Sequence, residues 1–115
     1  MKVEKKDGIT VLIMDERLDS LEGPKLKEAA EQLAKESGLK LVLDMGENRF
    51  IDSIGLQTLL SLRKIMTMNQ GDIKIARPTP SVLRILQLTR LHRVFDIYDS
   101  VESTTESFIL SAPKI

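Results

Sequence analysis

The sequence predicts an α/β fold in which a mixed, mostly parallel five-stranded sheet carries about four helices. Short aliphatic runs alternate along the chain with longer segments whose apolar residues recur at helical spacing. Strands that alternate with helices pair in parallel through right-handed crossovers. The opening residues instead predict a hairpin, which adds an antiparallel strand at the sheet edge. We expect residues 1–115 to form one domain, because a chain of this length buries a single core.

The N-terminal part of the chain predicts a hairpin, a loop, a helix and a strand. Residues 3–14 read as two strands joined by an Asp-Gly dipeptide, which accepts the positive φ angles of a tight turn. Residues 15–22 are expected to form a loop. Residues 23–38 predict an amphipathic helix with a proline in its first turn. The aliphatic run 39–45 is typical of a central strand that is buried on both faces.

A second helix is expected to run from Ser53 to about Asn69. Residues three and four apart share one face of a helix, so its apolar residues predict a stripe that packs against the sheet. The stripe consists of Leu56, Leu59, Leu60, the stem of Arg63, Ile65 and Met66.

A strand, a helix and a strand are expected next. Residues 72–76 predict a fourth strand of aliphatic character. Thr79 is placed to cap a third helix, which begins with a proline and continues to about residue 91. Residues 94–98 predict the fifth strand. Together with the earlier elements, they complete the expected sheet.

The end of the chain predicts a fourth helix. Ser100 supplies its N-cap, and the helix is expected to reach about Leu110. Residues 111–115 are expected to form a frayed tail.

The composition argues against several classes of partner. The chain has 17 basic and 17 acidic residues, so no net field attracts nucleic acid or an anionic membrane. It has no cysteine for a disulfide or a thiolate metal site, and no glycine-rich phosphate loop. No apolar run is long enough for a signal peptide or a membrane span. We therefore expect a soluble, cytoplasmic protein that needs no cofactor and binds neither nucleic acid nor membrane.

One alternative is a small phosphoryl-transfer enzyme built around Mg²⁺, for which carboxylates are suitable ligands. Its ligands would be Asp15, Asp19, Asp44 and Asp52. No phosphate loop accompanies these acids, and acids are common at strand ends and helix caps for structural reasons. The lone His92 is interpreted as a structural or surface residue, because a single imidazole is weak support for a metal site or a catalytic triad.

The stretch "RFIDSIGLQTLL", from Arg49 to Leu60, places Asp52 and Ser53 at the predicted start of the second helix. In the simplest interpretation these side chains only cap the helix, a role worth about 1 kcal/mol. However, "RFIDSIGLQTLLSLRK" is also similar to the Asp-Ser-Ser/Thr-Gly-Leu segment of the STAS domain, the fold of bacterial anti-sigma factor antagonists. The resemblance extends through "RLDSLEGPKLKEAA" and "PSVLRILQLTRLHRVFDIYDSVE", and so covers essentially the whole chain.

The resemblance implies a regulatory function. In that family a serine-kinase anti-sigma factor phosphorylates the serine that matches Ser53, and the unphosphorylated protein binds that factor and frees the sigma factor. A phosphatase acting on the phosphorylated form is implied as a second partner. Asp19 and Asp52 match the aspartates near the phosphoacceptor, and Gly55 matches the motif glycine. The protein would then be a ligand and substrate of its partner rather than a catalyst.

Three residues depart from the family pattern. Ile54 replaces the second hydroxyl of the motif, Glu16 replaces the glycine of the Gly-x-Leu-Asp loop, and Arg90 replaces a turn glycine. We expect Arg90 to occupy a turn that does not need glycine's positive φ. Ile54 also leaves open a STAS module that acts as a scaffold in another signalling complex.

The partner surface is expected to combine the loop before the first helix with the first turns of the second. Its candidate contacts are Leu21, Ile54 and Gln57. An apolar side chain in an exposed first turn suits a partner better than a solvated cap. The alternative is that Ile54 merely points into the core.

Overall fold

The structure is a computed structural model that describes residues 1–109 and 115. The strands of this part of the chain are β1 (Lys2–Lys6), β2 (Ile9–Ile13), β3 (Arg17–Leu18), β4 (Lys40–Asp44), β5 (Phe50–Ile51), β6 (Asp72–Ala76) and β7 (Ile97–Tyr98). Its α-helices are α1 (Glu22–Leu33), α2 (Ser53–Met68), α3 (Pro80–Leu88) and α4 (Val101–Ser107).

The main sheet has five strands in the order β1-β2-β4-β6-β7. β1 pairs antiparallel with β2, and every other neighbouring pair is parallel. The turn of the hairpin is left-handed, with φ of 53° at Asp7 and 77° at Gly8. The mixed, mostly parallel sheet and the opening hairpin are therefore confirmed.

The sheet is covered by helices on both faces. Residues of α1, α2 and α3 join one buried cluster with Leu41 and Leu43 of the central strand. Val101 and Phe108, from α4 and the residue after it, pack against a second cluster that includes Val42 on the opposite face. Alternating side chains of a strand point to opposite faces, so β4 is buried on both sides as expected.

The buried stripe of α2 differs from the predicted one. Leu59, Leu62 and Met66 are the large side chains that the helix buries fully, and Leu56 and Ile65 are partly buried against the same core. The prediction was wrong for Leu60, which is 42% exposed, and for Arg63, which is exposed. The residues of the buried stripe are separated by three and four positions, and this spacing places Leu60 on the side of the helix that faces water.

The helices end earlier than the sequence predicts. α1 ends at Leu33 because the next turn tightens, with amides donating to carbonyls three residues back. α3 ends at Leu88, and a separate 3₁₀ helix occupies Leu91–Arg93. Arg90 between them has φ of 62°, so the expectation that this turn avoids the left-handed region was wrong. The arginine adopts a conformation that glycine adopts at lower cost.

The last helix begins as predicted, with the Ser100 hydroxyl accepting the amide of Ser103. It ends at Ser107, and the predicted end at Leu110 lies outside the described residues, as do four positions of the expected tail. Within residues 1–109 and 115 no helix has the length and apolar character needed to cross a bilayer.

Candidate functional site

The short strands β3 and β5, which the sequence does not reveal, bring the two predicted site loops together. They pair in parallel as a separate two-stranded sheet, with Leu18 opposite Ile51. The amide of Asp52 donates to the Leu18 carbonyl at 3.4 Å. Asp19 follows Leu18 and Asp52 follows Ile51. Since paired parallel strands point the same way, the two aspartates leave the same end of this sheet.

Asp52 is the N-cap of α2. Its Oδ1 accepts the amide of Gly55 at 2.9 Å, and its backbone carbonyl accepts the amide of Leu56 at 2.9 Å. The simple capping interpretation therefore holds for the aspartate. It leaves the serine that follows without a capping function.

Ser53 is the first residue of α2 and is exposed. Among the hydrogen bonds of residues 1–109 and 115, none involves its hydroxyl. The N-terminus of a helix has unpaired amides and a partial positive charge, which favour a negative group. The hydroxyl is thus accessible at a position that tolerates an added phosphate.

Gly55 allows α2 to approach β3 closely. A Cβ at this position would overlap the backbone carbonyl oxygen of Leu18 and would lie 2.7 Å from Cγ1 of Ile51. Backbone atoms cannot rotate away from such a contact. The glycine therefore lets the start of α2 lie directly on the short two-stranded sheet.

Asp19 organises the start of α1 in the same way. Its Oδ1 accepts the amides of Leu21 at 3.0 Å and Glu22 at 3.1 Å, and its carbonyl accepts the amide of Gly23 at 2.7 Å. Nε of Arg17 donates to its Oδ2 at 3.2 Å. The Glu22 amide, then the Arg17 side chain, hold the pKa of Asp19 below its ordinary value, although desolvation opposes them. The carboxylate is therefore ionised at neutral pH.

Exposed apolar side chains surround the two helix starts. Leu21 is 74% exposed and Ile54 is 42% exposed, so Ile54 does not point into the core. Phe50 is 41% exposed, and the guanidinium carbon of Arg17 lies 4.2 Å from its ring centre. Gln57 is also exposed. All three predicted partner contacts thus lie at the surface.

The first turns of α1 and α2 are in close contact. A Cβ on Gly23 would lie 2.6 Å from Oγ1 of Thr58 and 3.9 Å from Cγ2 of Ile54. The same Oγ1 donates to the Ile54 carbonyl at 2.9 Å. Leu21 precedes Gly23 by two residues, so the two exposed apolar side chains belong to neighbouring helix starts. We call Leu21, Phe50 and Ile54 the apolar rim. The exposed polar side chain of Gln57 lies one turn after Ile54 on α2.

Comparison with known proteins agrees with this geometry. A family model described as the STAS domain matches residues 1–104. The chain belongs to the STAS domain family. The anti-sigma-B factor antagonist of Listeria monocytogenes is 26% identical over 97 residues, which cover 84% of each chain. The anti-sigma F factor antagonist of Paenibacillus polymyxa is 24% identical over 113 residues, covering 96% of this chain and 97% of the relative.

Solved structures show the same STAS fold. An anti-sigma factor antagonist from Mycobacterium paratuberculosis superposes with a TM-score of 0.82 at 24% identity, covering 92% of this chain and 90% of that one. The antagonist SpoIIAA in its unphosphorylated form gives a TM-score of 0.78 at 14% identity, covering 94% and 95%. The predicted fold class is therefore confirmed.

The carboxylate cluster of the enzyme alternative does not form in this STAS domain. Asp44 is buried and accepts two hydrogen bonds from Arg77, at 2.7 and 3.2 Å. This ion pair raises the pKa of Arg77, chiefly through its hydrogen bond to Asp44. Asp19 accepts the amides of Leu21 and Glu22 at the start of α1, and Asp52 caps α2. In the part of the chain that the structure describes, no three His, Cys, Asp or Glu side chains converge to hold a metal ion.

Sequence reasoning missed three residues around the site. Arg17 and Phe50 are register partners on β3 and β5, but runs of two residues are too short for a periodic signal. Asn48 is completely buried between β4 and β5. A polar residue inside a segment predicted as a loop gives no sign that it will be buried. His92 is exposed, in agreement with its interpretation as a surface residue.

Proposed function

We propose that this STAS domain protein is an anti-sigma factor antagonist switched by phosphorylation of Ser53. While Ser53 is unmodified, the protein binds a serine-kinase anti-sigma factor and so frees the sigma factor, in the cytoplasm where transcription takes place. The observation that carries the proposal is the exposed Ser53 hydroxyl, which makes no hydrogen bond to any residue that the structure describes and stands at the start of α2 beside the apolar rim. The names of the relatives in Listeria monocytogenes and Paenibacillus polymyxa support the same class of partner.

The switch follows from local electrostatics. A phosphoserine carries about −1.5 to −2 charges at neutral pH. The amides and dipole of α2 compensate part of this charge, so the fold is expected to survive the modification. Asp19 and Asp52 stand at the same end of the β3–β5 sheet and add negative charge there. An apolar partner surface packed at this point would have to desolvate the phosphate, and an acidic partner surface would be repelled by it. In both cases the affinity for the partner falls.

The docking surface is the apolar rim. Leu21 and Ile54 expose large apolar areas next to a phosphoacceptor that a kinase must reach. Apolar side chains ringed by polar groups are typical of protein interaction sites. The occupant is the kinase itself, since the enzyme that modifies Ser53 has to contact the residues beside it. A phosphatase acting on phosphorylated Ser53 restores the binding form.

Binding of rim variants to the cognate anti-sigma factor tests the docking surface. We expect Leu21→Glu combined with Ile54→Glu to weaken binding at least about tenfold, because two charges replace apolar contacts at the centre of an interface. Met68→Glu is the matched control. Met68 is 71% exposed on the same helix, but lies about 21 Å from Ile54 along its axis. Unchanged binding of the folded double variant would exclude this surface.

A STAS scaffold in another signalling complex is the second candidate. It is favoured by Ile54, which stands exposed where the family motif has a second hydroxyl. The two candidates differ in the effect of charge at Ser53. An antagonist loses its partner when Ser53→Asp is introduced and retains it with Ser53→Ala. A scaffold that is not phosphorylated there binds both variants equally.

A further inference from the structure

Asn48 joins the two halves of the candidate site through its side-chain amide. It follows β4 and is completely buried. Its Nδ2 lies 3.1 Å from the carbonyl oxygen of Asp15, 3.3 Å from that of Glu16 and 3.4 Å from that of Phe50. The first two carbonyls precede β3 and the third belongs to β5. A single amide group therefore bridges the strands that carry Asp19 and Asp52.

The backbone of Asn48 adds two further links. Its amide donates to the Met45 carbonyl at 3.1 Å, and its carbonyl accepts the hydroxyl of Thr79 at 3.0 Å. Thr79 is the N-cap residue of α3, yet its hydroxyl makes no capping bond. Asn48 thus connects the loop after β4, the start of α3 and the β3–β5 sheet.

The Nδ2 group of Asn48 makes the hydrogen bonds of the side chain to the described residues, and its Oδ1 does not. Within the described residues the Oδ1 of Asn48 has no hydrogen-bond partner, although it is buried. A buried oxygen without a hydrogen-bond partner costs free energy in a protein interior. Leucine has the same branched shape as asparagine and would not carry this cost. What an asparagine adds over a leucine at this position is therefore the contact of Nδ2 with three carbonyl oxygens.

We propose that Asn48 is the positioning residue of the Ser53 switch. By holding the residues before β3 against β5, it keeps the Asp19–Leu21 loop beside the start of α2, so that the kinase meets one continuous surface. This inference rests on the proposed function. It predicts that removal of the amide weakens recognition of the site, while the chemistry at the Ser53 hydroxyl, which is set by the kinase, is little affected.

The test compares Asn48→Leu with wild type in steady-state phosphorylation by the cognate kinase. We expect KM for the protein substrate to rise about tenfold and kcat to stay within about twofold, the pattern of lost binding rather than lost chemistry. Asn48→Asp, whose carboxylate faces the three carbonyls, is expected to raise KM further. Asn69→Leu is the control for loss of an asparagine amide elsewhere: Nδ2 of the exposed Asn69 donates to a single backbone carbonyl, that of Ile65 at 2.8 Å, at the opposite end of α2.

Amide hydrogen exchange separates positioning from general loss of stability. The Leu21 and Glu22 amides, which donate to Asp19, should exchange about tenfold faster in Asn48→Leu than in wild type, while Leu59 in the core keeps its protection. Faster exchange at all three positions, or a fall in kcat with KM unchanged, would overturn the proposal and leave Asn48 as a core residue only.

If Asn48→Leu does not fold, Thr79→Val removes the hydroxyl bonded to the Asn48 carbonyl at little cost in shape. It should raise KM about twofold to threefold if Asn48 positions the loop, and an unchanged KM would contradict the proposal. If wild type is not phosphorylated at all, the proposed function fails, and local exchange at Leu21 and Glu22 alone decides whether Asn48 holds the loop.

Discussion

Truncation of Leu59 tests how α2 is seated on the sheet, and hence how Ser53 is presented. Leu59 has no exposed surface, whereas its neighbour Leu60 is 42% exposed. Leu59→Ala and Leu60→Ala remove the same atoms from adjacent positions of one helix. Helix propensity changes equally in both variants, so the difference between their free energies of unfolding reports the burial of Leu59.

The magnitudes follow from the burial. Full burial of a leucine side chain is worth about 1.5–3 kcal/mol, and the cavity left behind raises the cost of Leu59→Ala to about 2–5 kcal/mol. Leu60→Ala removes a side chain that is already in partial contact with water, so we expect a loss under about 1 kcal/mol. For a chain of this size, each kcal/mol corresponds to about 4 °C in Tm.

Urea denaturation followed by circular dichroism measures both free energies of unfolding, and equal m-values show that the same surface is exposed in each variant. A loss under about 0.5 kcal/mol for Leu59→Ala, or an equal loss for Leu60→Ala, would contradict this seating of α2. Either result would mean that the helix is rotated relative to the sheet and that Ser53 faces another direction.

Three further predictions concern the residues around Ser53. Asp52→Ala should cost about 1 kcal/mol in urea titration, because the Gly55 amide loses its acceptor, and Asp52→Ser should recover most of this loss. Gly55→Ala should destabilise the fold despite better helix propensity, since overpacking against the Leu18 carbonyl costs about 1–3 kcal/mol; a more stable variant would contradict the close approach. The pKa of Asp19, measured by carboxyl NMR titration, should lie below its ordinary 3.8. The stability that the ionised Asp19 contributes is then present above that value and is lost as pH falls through the folded pKa. In Asp19→Asn the free energy of unfolding should therefore fall less steeply as the pH is lowered through this range.

Much of the fold could be predicted because its elements are long enough to be periodic. The aliphatic run of β4 and the stripe of α2 each repeat over several residues, and Ser100 marks a helix start by its chemistry. The site residues Asp19 and Ser53 were found through resemblance to the STAS family rather than through spacing. Spacing alone supported a cap at the start of α2, which is what Asp52 provides.

The remaining features depend on tertiary context. β3 and β5 have two residues each and exist only because they pair with one another. Leu60 is as apolar as Leu59, so only the packed sheet decides which of them is buried. Arg90 adopts a left-handed φ that its sequence neighbours do not indicate. The role of Asn48 requires three carbonyls that are brought together by the folded chain.

Phosphate mapping tests whether Ser53 is the residue that switches binding. The protein is incubated with Mg²⁺, ATP and the kinase encoded beside it, and the product is analysed by intact mass and by peptide mass spectrometry. We expect one added phosphate, located at Ser53, and loss of binding to the kinase with a nearly unchanged circular dichroism spectrum. A phosphate at Thr58 or Ser61, or none after exhaustive incubation, would contradict the switch and favour the scaffold.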